Sequence, residues 1–471
     1  MPVTDRPNIL FFFTDDQRFD TIAALGNSAI RTPNLDRLVQ RGTAFTDAYI
    51  MGGSCGAVCM PSRAMLHTSR SLYHIQDMGR SVPADHSMLG ETLRGAGYDT
   101  FGTGKWHNGA EAFSRSFSHG GDIFFGGMGD HWNVPACDFD PAGRYEARIA
   151  QTTNFHTQSV QHWTADHIEA GVHSTELFCD AAVDFLTNRQ RRENPFFAYV
   201  AFMAPHDPRT MPQKYLDMYP PEKVKLPPNF LPEHYFDNGE LQVRDEVLAA
   251  IPRDEVEVRQ HIAAYYAMIT HLDDHIGRVL QVLEDQGMLE DTIIVFAGDN
   301  GLAVGQHGLL GKQNLYEHSV RVPLIFAGPG VPENQQRSAL AGPIDIFPTL
   351  CDLVDIEKPA SAEGESLQPC FNDREAFVRK TMLFAYRHLM RGVRDRSGKK
   401  LIETAAAGQC YSQLFDLRYD RWEMENLAGD PKHAETMLLL RESLTTWRDD
   451  WDDVQPGQGA DFWQQMDWAD R

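Results

Sequence analysis

The chain has 471 residues, 42% of them hydrophobic, and carries 43 Lys and Arg against 66 Asp and Glu, a formal net charge of −23. That length exceeds one small core and predicts a large domain with a smaller companion. The charge excludes a nucleic-acid backbone or an anionic membrane as the main partner, so an anionic substrate requires a locally basic pocket.

Seven cysteines, at 55, 59, 137, 179, 351, 370 and 410, are scattered and odd in number, and no disulfide framework is legible in them. No apolar stretch approaches transmembrane length, and the residues before the first strand lack signal-peptide design. The expectation is a cytoplasmic protein, with export the alternative for a trimmed chain.

Residues 8–13, Asn-Ile-Leu-Phe-Phe-Phe, read as a buried strand that delivers Asp15 and Asp16 at its carboxyl end. Ligand sites of open α/β sheets lie at that edge. Pro33 and Asp36 are start signals for an amphipathic helix. In the stretch 51–70, Pro61 suits the first turn of a helix, which places Cys59 at the helix mouth. Free N–H groups and the positive end of the dipole converge there on a tetrahedral oxyanion, and Arg63 adds a guanidinium. This predicts an anion-binding nucleophile site.

A helix is expected over 87–95 and a strand over 98–102, running into Gly102-Thr103-Gly104-Lys105-Trp106-His107. Lys105 and His107, one residue apart at a strand end, face the same side, as a shared ligand requires. Residues 114–174 show little periodicity and read as loops shaping a pocket, with their histidines at the surface. A helix over 175–189, a strand over 196–202 and the turn Ala204-Pro205-His206-Asp207-Pro208 follow. An extended excursion at 205–256 leads to a long helix over 257–286 and a strand over 293–297 that ends in Gly298-Asp299-Asn300-Gly301. A strand over 323–327 and a helix opening at 345–350 continue the alternation.

The expected fold is α/β: a large, mainly parallel mixed sheet flanked by helices within residues 1–370. A smaller α+β unit with an antiparallel sheet occupies 371–471. Its strands are expected over 382–393, 399–403 and 411–417, its helix at 433–449, and a loose tail from 450. Asp15, Asp16, Asp299 and Asn300 offer oxygen donors without a cysteine pair, which suits a hard cation, calcium or magnesium.

Cys59-Met60-Pro61-Ser62-Arg63 with Thr68 resembles the signature of the type I sulfatases of the alkaline phosphatase superfamily. Asp15-Asp16, the 32–36 segment, Gly104-Lys105-Trp106-His107, Pro205-His206-Asp207-Pro208, Asp299-Asn300 and Lys312 match further elements of that family in its order, from residue 8 to about 350. The resemblance implies an alkaline phosphatase-like fold and conversion of Cys59 to formylglycine by a maturation enzyme. It also implies one divalent metal, calcium ahead of magnesium, held by Asp15, Asp16, the Cys59-derived residue, Asp299 and Asn300.

By the same resemblance Arg63 and Lys105 hold the formylglycine hydroxyls, and His107 is the base that releases sulfate. His206 and Lys312 serve the leaving oxygen. Ser69 departs from the family, which usually has glycine after Thr68. The expected substrate is a small-molecule or oligosaccharide sulfate ester. Two alternatives are a phosphate or phosphonate ester hydrolase of the same superfamily and a non-catalytic binder of sulfated glycans.

Overall fold

A computed structural model describes residues 6–154, 156–189 and 194–466. Residues 1–5 and 467–471, on which parts of the leader and tail expectations fall, lie outside the described residues. The core is an eight-stranded mixed sheet. Its spatial order is Gln335–Arg337, Gly42–Phe45, Leu324–Ala327, Thr292–Gly298, Asn8–Thr14, Phe196–Ala201, Asp99–Lys105 and His119–Phe124. Asn8–Thr14 lies parallel between Phe196–Ala201 and Thr292–Gly298, and Leu324–Ala327 runs antiparallel to both of its neighbours.

The central strands are apolar at nearly every position because both faces are covered. Alternation sends Ile9, Phe11 and Phe13 into one core with Tyr199, Val295, Leu66 and Phe347. Leu10 and Phe12 enter the opposite core with Val200, Phe296 and the long helix Glu255–Asp285 through Met268, Leu272 and Ile276. Asp273 on that helix accepts from the backbone N–H groups of Asn34 and Leu35 at 3.0 and 2.7 Å, which caps the helix Pro33–Arg41. Burial pushes its carboxyl up to about 7.

A second, five-stranded sheet runs Gln409–Asp416, Lys399–Ala406, Met390–Asp395, Thr381–Tyr386 and Gly52–Gly53. The helix Ala434–Asp450 covers it with Leu440 and Leu444 against Val393, Leu401 and Leu414. The last strand comes from just before the Cys59 segment, so the small sheet is stitched to the chain that leads into Cys59. The stretch 382–393, expected as one strand, is a hairpin that turns at Arg387, whose φ is +45°.

Two further expectations fail. The stretch 114–174 is not all loop: His119–Phe124 pairs in parallel at the sheet edge, and Arg148–Asn154 with Ser159–Thr164 forms a polar hairpin. Glycines and a two-sided polar pattern hide edge strands from periodicity. Of its histidines, His131 and His173 are buried rather than at the surface. Nor is the tail loose. Asp453 is buried and accepts from Arg391 Nη2 at 2.7 Å and from its Nε, and the following helix Gly459–Gln465 inserts Phe462.

Breaking a buried ion pair from one side strands the other charge. Asp453→Ala is therefore expected to cost about 3–5 kcal/mol of stability, while Arg391→Met with Asp453→Leu costs much less. Urea unfolding followed by tryptophan fluorescence measures both.

Candidate active site

Four parallel strands end at one edge and deliver the polar groups there. Asp15 and Asp16 follow Asn8–Thr14, Asp299 and Asn300 follow Thr292–Gly298, Lys105 ends Asp99–Lys105, and His206 lies beyond Phe196–Ala201. The helix Cys59–Thr68 starts at Cys59 and has Pro61 in its first turn, and all ten of its residues are buried. Asp16 and His107 have φ of +62° and +71°, so both turn sharply out of their strands.

The sequence-predicted residues meet. Cys59 Sγ lies 3.5 Å from Lys105 Nζ and 3.6 Å from His107 Nδ1. Lys105 pairs with Asp15, and Lys312 Nζ donates to Asp16 Oδ1 at 2.6 Å. Asn300 Nδ2 donates to the same Asp16 oxygen at 2.6 Å, and His206 Nε2 is 3.6 Å from Asp16 Oδ2. Arg63 joins the same cluster, with Nη2 3.9 Å from Asp15 Oδ2. It is fully buried, donating through Nε to Asp299 at 2.9 Å and through Nη1 to the carbonyl of Lys105 at 2.8 Å. It braces the strand ends from within.

The electrostatics follow from burial. Desolvation raises the Asp15 carboxyl, but Lys105, His206, Arg63 and Lys312 outweigh it and hold Asp15 far below the usual range. Burial and the Asp15 charge push Asp299 up. Burial takes the Cys59 thiol to about 11 against the pull of Lys105 and Lys312. Burial, with Lys105 and Arg63, holds His107 well below its ordinary value, so the ring is neutral at pH 7. The Lys312 ammonium, which burial would lower, is held well up by Asp16.

The donor set fits a hard cation. Asp15 Oδ1 and Asn300 Oδ1 are buried without a hydrogen-bond partner, and both belong to the four oxygen-bearing residues expected as ligands. Asp15, Cys59 and Asp299 offer ligand atoms within 4.8 Å of one another, as do Asp15, Asp16 and His206.

Several supporting residues carried no sequence signal. Glu246, in the excursion, accepts from the N–H groups of Leu310 and Gly311 at 2.9 and 2.8 Å, next to Lys312. Arg253 pairs with Glu246 and donates to the carbonyl of Gly308 at 2.9 Å. His131 Nε2 lies 3.1 Å from the carbonyl of His206, and Asn108 donates to the carbonyl of Met60 at 3.0 Å. Ser69, which the sequence did single out as standing where glycine is usual, caps the Cys59 helix at φ +54°, the left-handed region that glycine enters without strain. Its hydroxyl compensates, donating to the carbonyl of Ile344 at 2.7 Å and accepting from Gly364 N–H at 3.0 Å.

Residues 7–356 match the sulfatase family, and residues 305–450 match the C-terminal region of N-sulphoglucosamine sulphohydrolase. The N-acetylglucosamine-6-O-sulfatase of Bacteroides thetaiotaomicron is 25% identical over 95% of this chain and 88% of its own. A protein solved in complex with its substrate, D-glucosamine-2-N,6-O-disulfate, superposes with a TM-score of 0.78 at 24% identity, over 96% of this chain and 99% of that one. The phosphonate monoester hydrolase of Agrobacterium radiobacter shares the fold with a TM-score of 0.72 at 20% identity, over 95% of this chain and 96% of that one. With most of its length matched, the chain belongs to the sulfatase family of the alkaline phosphatase superfamily and is a sulfuric ester hydrolase.

Proposed function

We propose that the protein hydrolyses a carbohydrate sulfate monoester to an alcohol and inorganic sulfate through a formylglycine made from Cys59. One observation carries the reading: the residue-59 side chain lies 3.5 Å from Lys105 Nζ and 3.6 Å from His107 Nδ1 at a helix mouth, with carboxylate oxygens of Asp15 and Asp299 within 4.8 Å of its sulfur. A nucleophile, a base and a cation cradle thus share one point.

Asp15, Asp16, Asp299 and Asn300, with the residue-59 side chain, would hold a divalent cation, calcium ahead of magnesium. When bound, it supplies Lewis acidity to the sulfate oxygens. Lys105 orients the hydroxyls at residue 59 by hydrogen bonding, and Arg63 fixes Asp299 and the end of the Lys105 strand. His107, neutral and adjacent, accepts the proton whose loss releases sulfate by C–O cleavage. His206 and Lys312 serve the departing oxygen, His206 or Lys312 giving it a proton.

Charge supports an anionic substrate. Three buried carboxylates, Asp15, Asp16 and Asp299, face three buried cations, Arg63, Lys105 and Lys312. A dication added to this balanced set leaves positive charge for an anionic ester to offset. The carbohydrate class is supported by the named relative and by the substrate of the structural neighbour. The phosphonate hydrolase neighbour keeps a second reading open, since its tetrahedral anion suits the same cradle. Turnover of 4-nitrophenyl sulfate against 4-nitrophenyl phosphate on one preparation separates the two.

Peptide mass spectrometry across Cys59, on protein co-expressed with a maturation enzyme, is expected to find the aldehyde or its hydrate. Cys59→Ala is expected to lower 4-nitrophenyl sulfate turnover by more than about a thousandfold with the melting temperature retained. Fully active protein with an unmodified thiol overturns the reading. His107→Ala is expected to release a single equivalent of nitrophenol and then stop, with sulfate left on the residue-59 peptide. Continued turnover in that variant removes His107 from its role. Asp299→Ala is expected to lose bound calcium or magnesium, measured by plasma emission on dialysed protein.

A further inference from the structure

We infer that the protein holds a sulfated saccharide at a second site, in a cavity beside the reaction centre. The cavity has a volume of about 820 Å³ and lies at the same edge of the main sheet, where Gly42–Phe45 ends and Leu324–Ala327 begins. Neither Cys59, Lys105, His107, His206 nor Lys312 lines it. The reading of the first site as a sulfatase supplies only the choice of sulfate as the anion.

Three observations fix the ligand's chemistry. The first is charge: seven Lys and Arg side chains line the cavity against three Asp and Glu, in a chain of net charge −23. Lys223, Lys225 and Arg421 stand exposed at its rim and form no ion pair among the described residues. A local excess of cations in so acidic a protein selects an anion.

The second is an unsatisfied buried donor. Arg394, only 6% exposed, gives its Nη2 to Asp47 at 2.9 Å but leaves Nε and Nη1 without an acceptor. Buried guanidinium N–H groups are costly to leave unbonded, and a turn of this side chain off the Tyr49 ring, 4.9 Å from its Cζ, toward the cavity it lines would give them a sulfate oxygen as acceptor. The third is aromatic surface. Tyr219, Tyr266 and the half-buried Trp422 line the same cavity, and Arg421 lies 5.3 Å from the Trp422 ring. Flat aromatic faces beside cations match a sugar ring that carries anionic groups, whereas a bare inorganic anion has no use for them.

The two sites share a wall. Gly301, which follows Asn300, packs so closely against the carbonyl of His318 and the side chain of Arg18 that a Cβ would lie 2.2 Å from the former and 3.2 Å from the latter. Arg18 lines the cavity two residues beyond Asp16. A saccharide chain engaged in the cavity would therefore be held against the loops that carry Asp16 and Asn300, outside the pocket where the ester is cleaved.

The test is calorimetric titration of the full chain with sucrose octasulfate, with sucrose and sodium sulfate as controls. Binding of the octasulfate is expected, weakened at least about tenfold by Lys223→Glu with Arg421→Glu. Arg394→Gln is expected to weaken it as well, and 4-nitrophenyl sulfate kcat/KM is expected to stay at the wild-type value in the rim variant. The inference is overturned by absent binding, by equal affinity in both variants, or by sodium sulfate binding as tightly with the same losses. Should the wild-type protein bind octasulfate in this variant-sensitive way yet hydrolyse no nitrophenyl sulfate, the catalytic reading fails while the second site stands.

Discussion

The structure depends on a cluster of opposite charges buried together at the carboxyl edge of the main sheet. Asp15, Asp299, Arg63 and Lys105 are each fully inaccessible, and Asp16 and Lys312 are nearly so. Opposite charges at 4 Å attract by about 4 kcal/mol at the effective dielectric of such sites, and stripping their water costs a comparable amount. Such a set is tolerable only when each charge has its partner. Arg63 bonds Asp299 and the Lys105 carbonyl, Lys105 bonds Asp15, and Lys312 bonds Asp16, so the strand ends cannot drift apart without exposing an unpaired ion.

That constraint explains why residues with no chemistry of their own surround the cluster. The loop before Lys312 has no regular structure to stiffen it, and Glu246 with Arg253 clamps its backbone instead. The Cys59 helix is held at its start by Asn108 and at its end by Ser69, whose hydroxyl offsets the strain of a left-handed backbone. The small sheet borrows Gly52–Gly53 as its edge strand and so fixes the chain that leads into Cys59. The 2.1 Å that would separate a Cβ at Gly52 from the carbonyl of Ala385 makes glycine necessary there.

What was legible in the sequence was local. The apolar runs at 8–13, 196–202 and 293–297 announce buried strands because a strand covered on both faces must be apolar throughout. The carboxylates and amide just beyond two of those runs announce the sheet edge. Cys59 with Pro61 announces a helix mouth. In contrast, His119–Phe124 and the hairpin of 148–164 have no two-residue alternation to read, and Asp453, in a segment rich in polar residues, looked like solvated tail.

By itself the sequence determined the strand ends and the helix that starts at Cys59, because those follow from residue type and short spacing, while the roles expected of Cys59, Lys105, His107, His206 and Lys312 rest on the resemblance to the sulfatases. Only the tertiary structure decided that Arg63 faces inward to hold Asp299, that Glu246 and Arg253 fix the Lys312 loop, and that Arg394, Trp422 and Tyr219 line one cavity. Those pairings join residues up to 236 positions apart, and such contacts are set by how strands order themselves in the sheet, which no local pattern encodes.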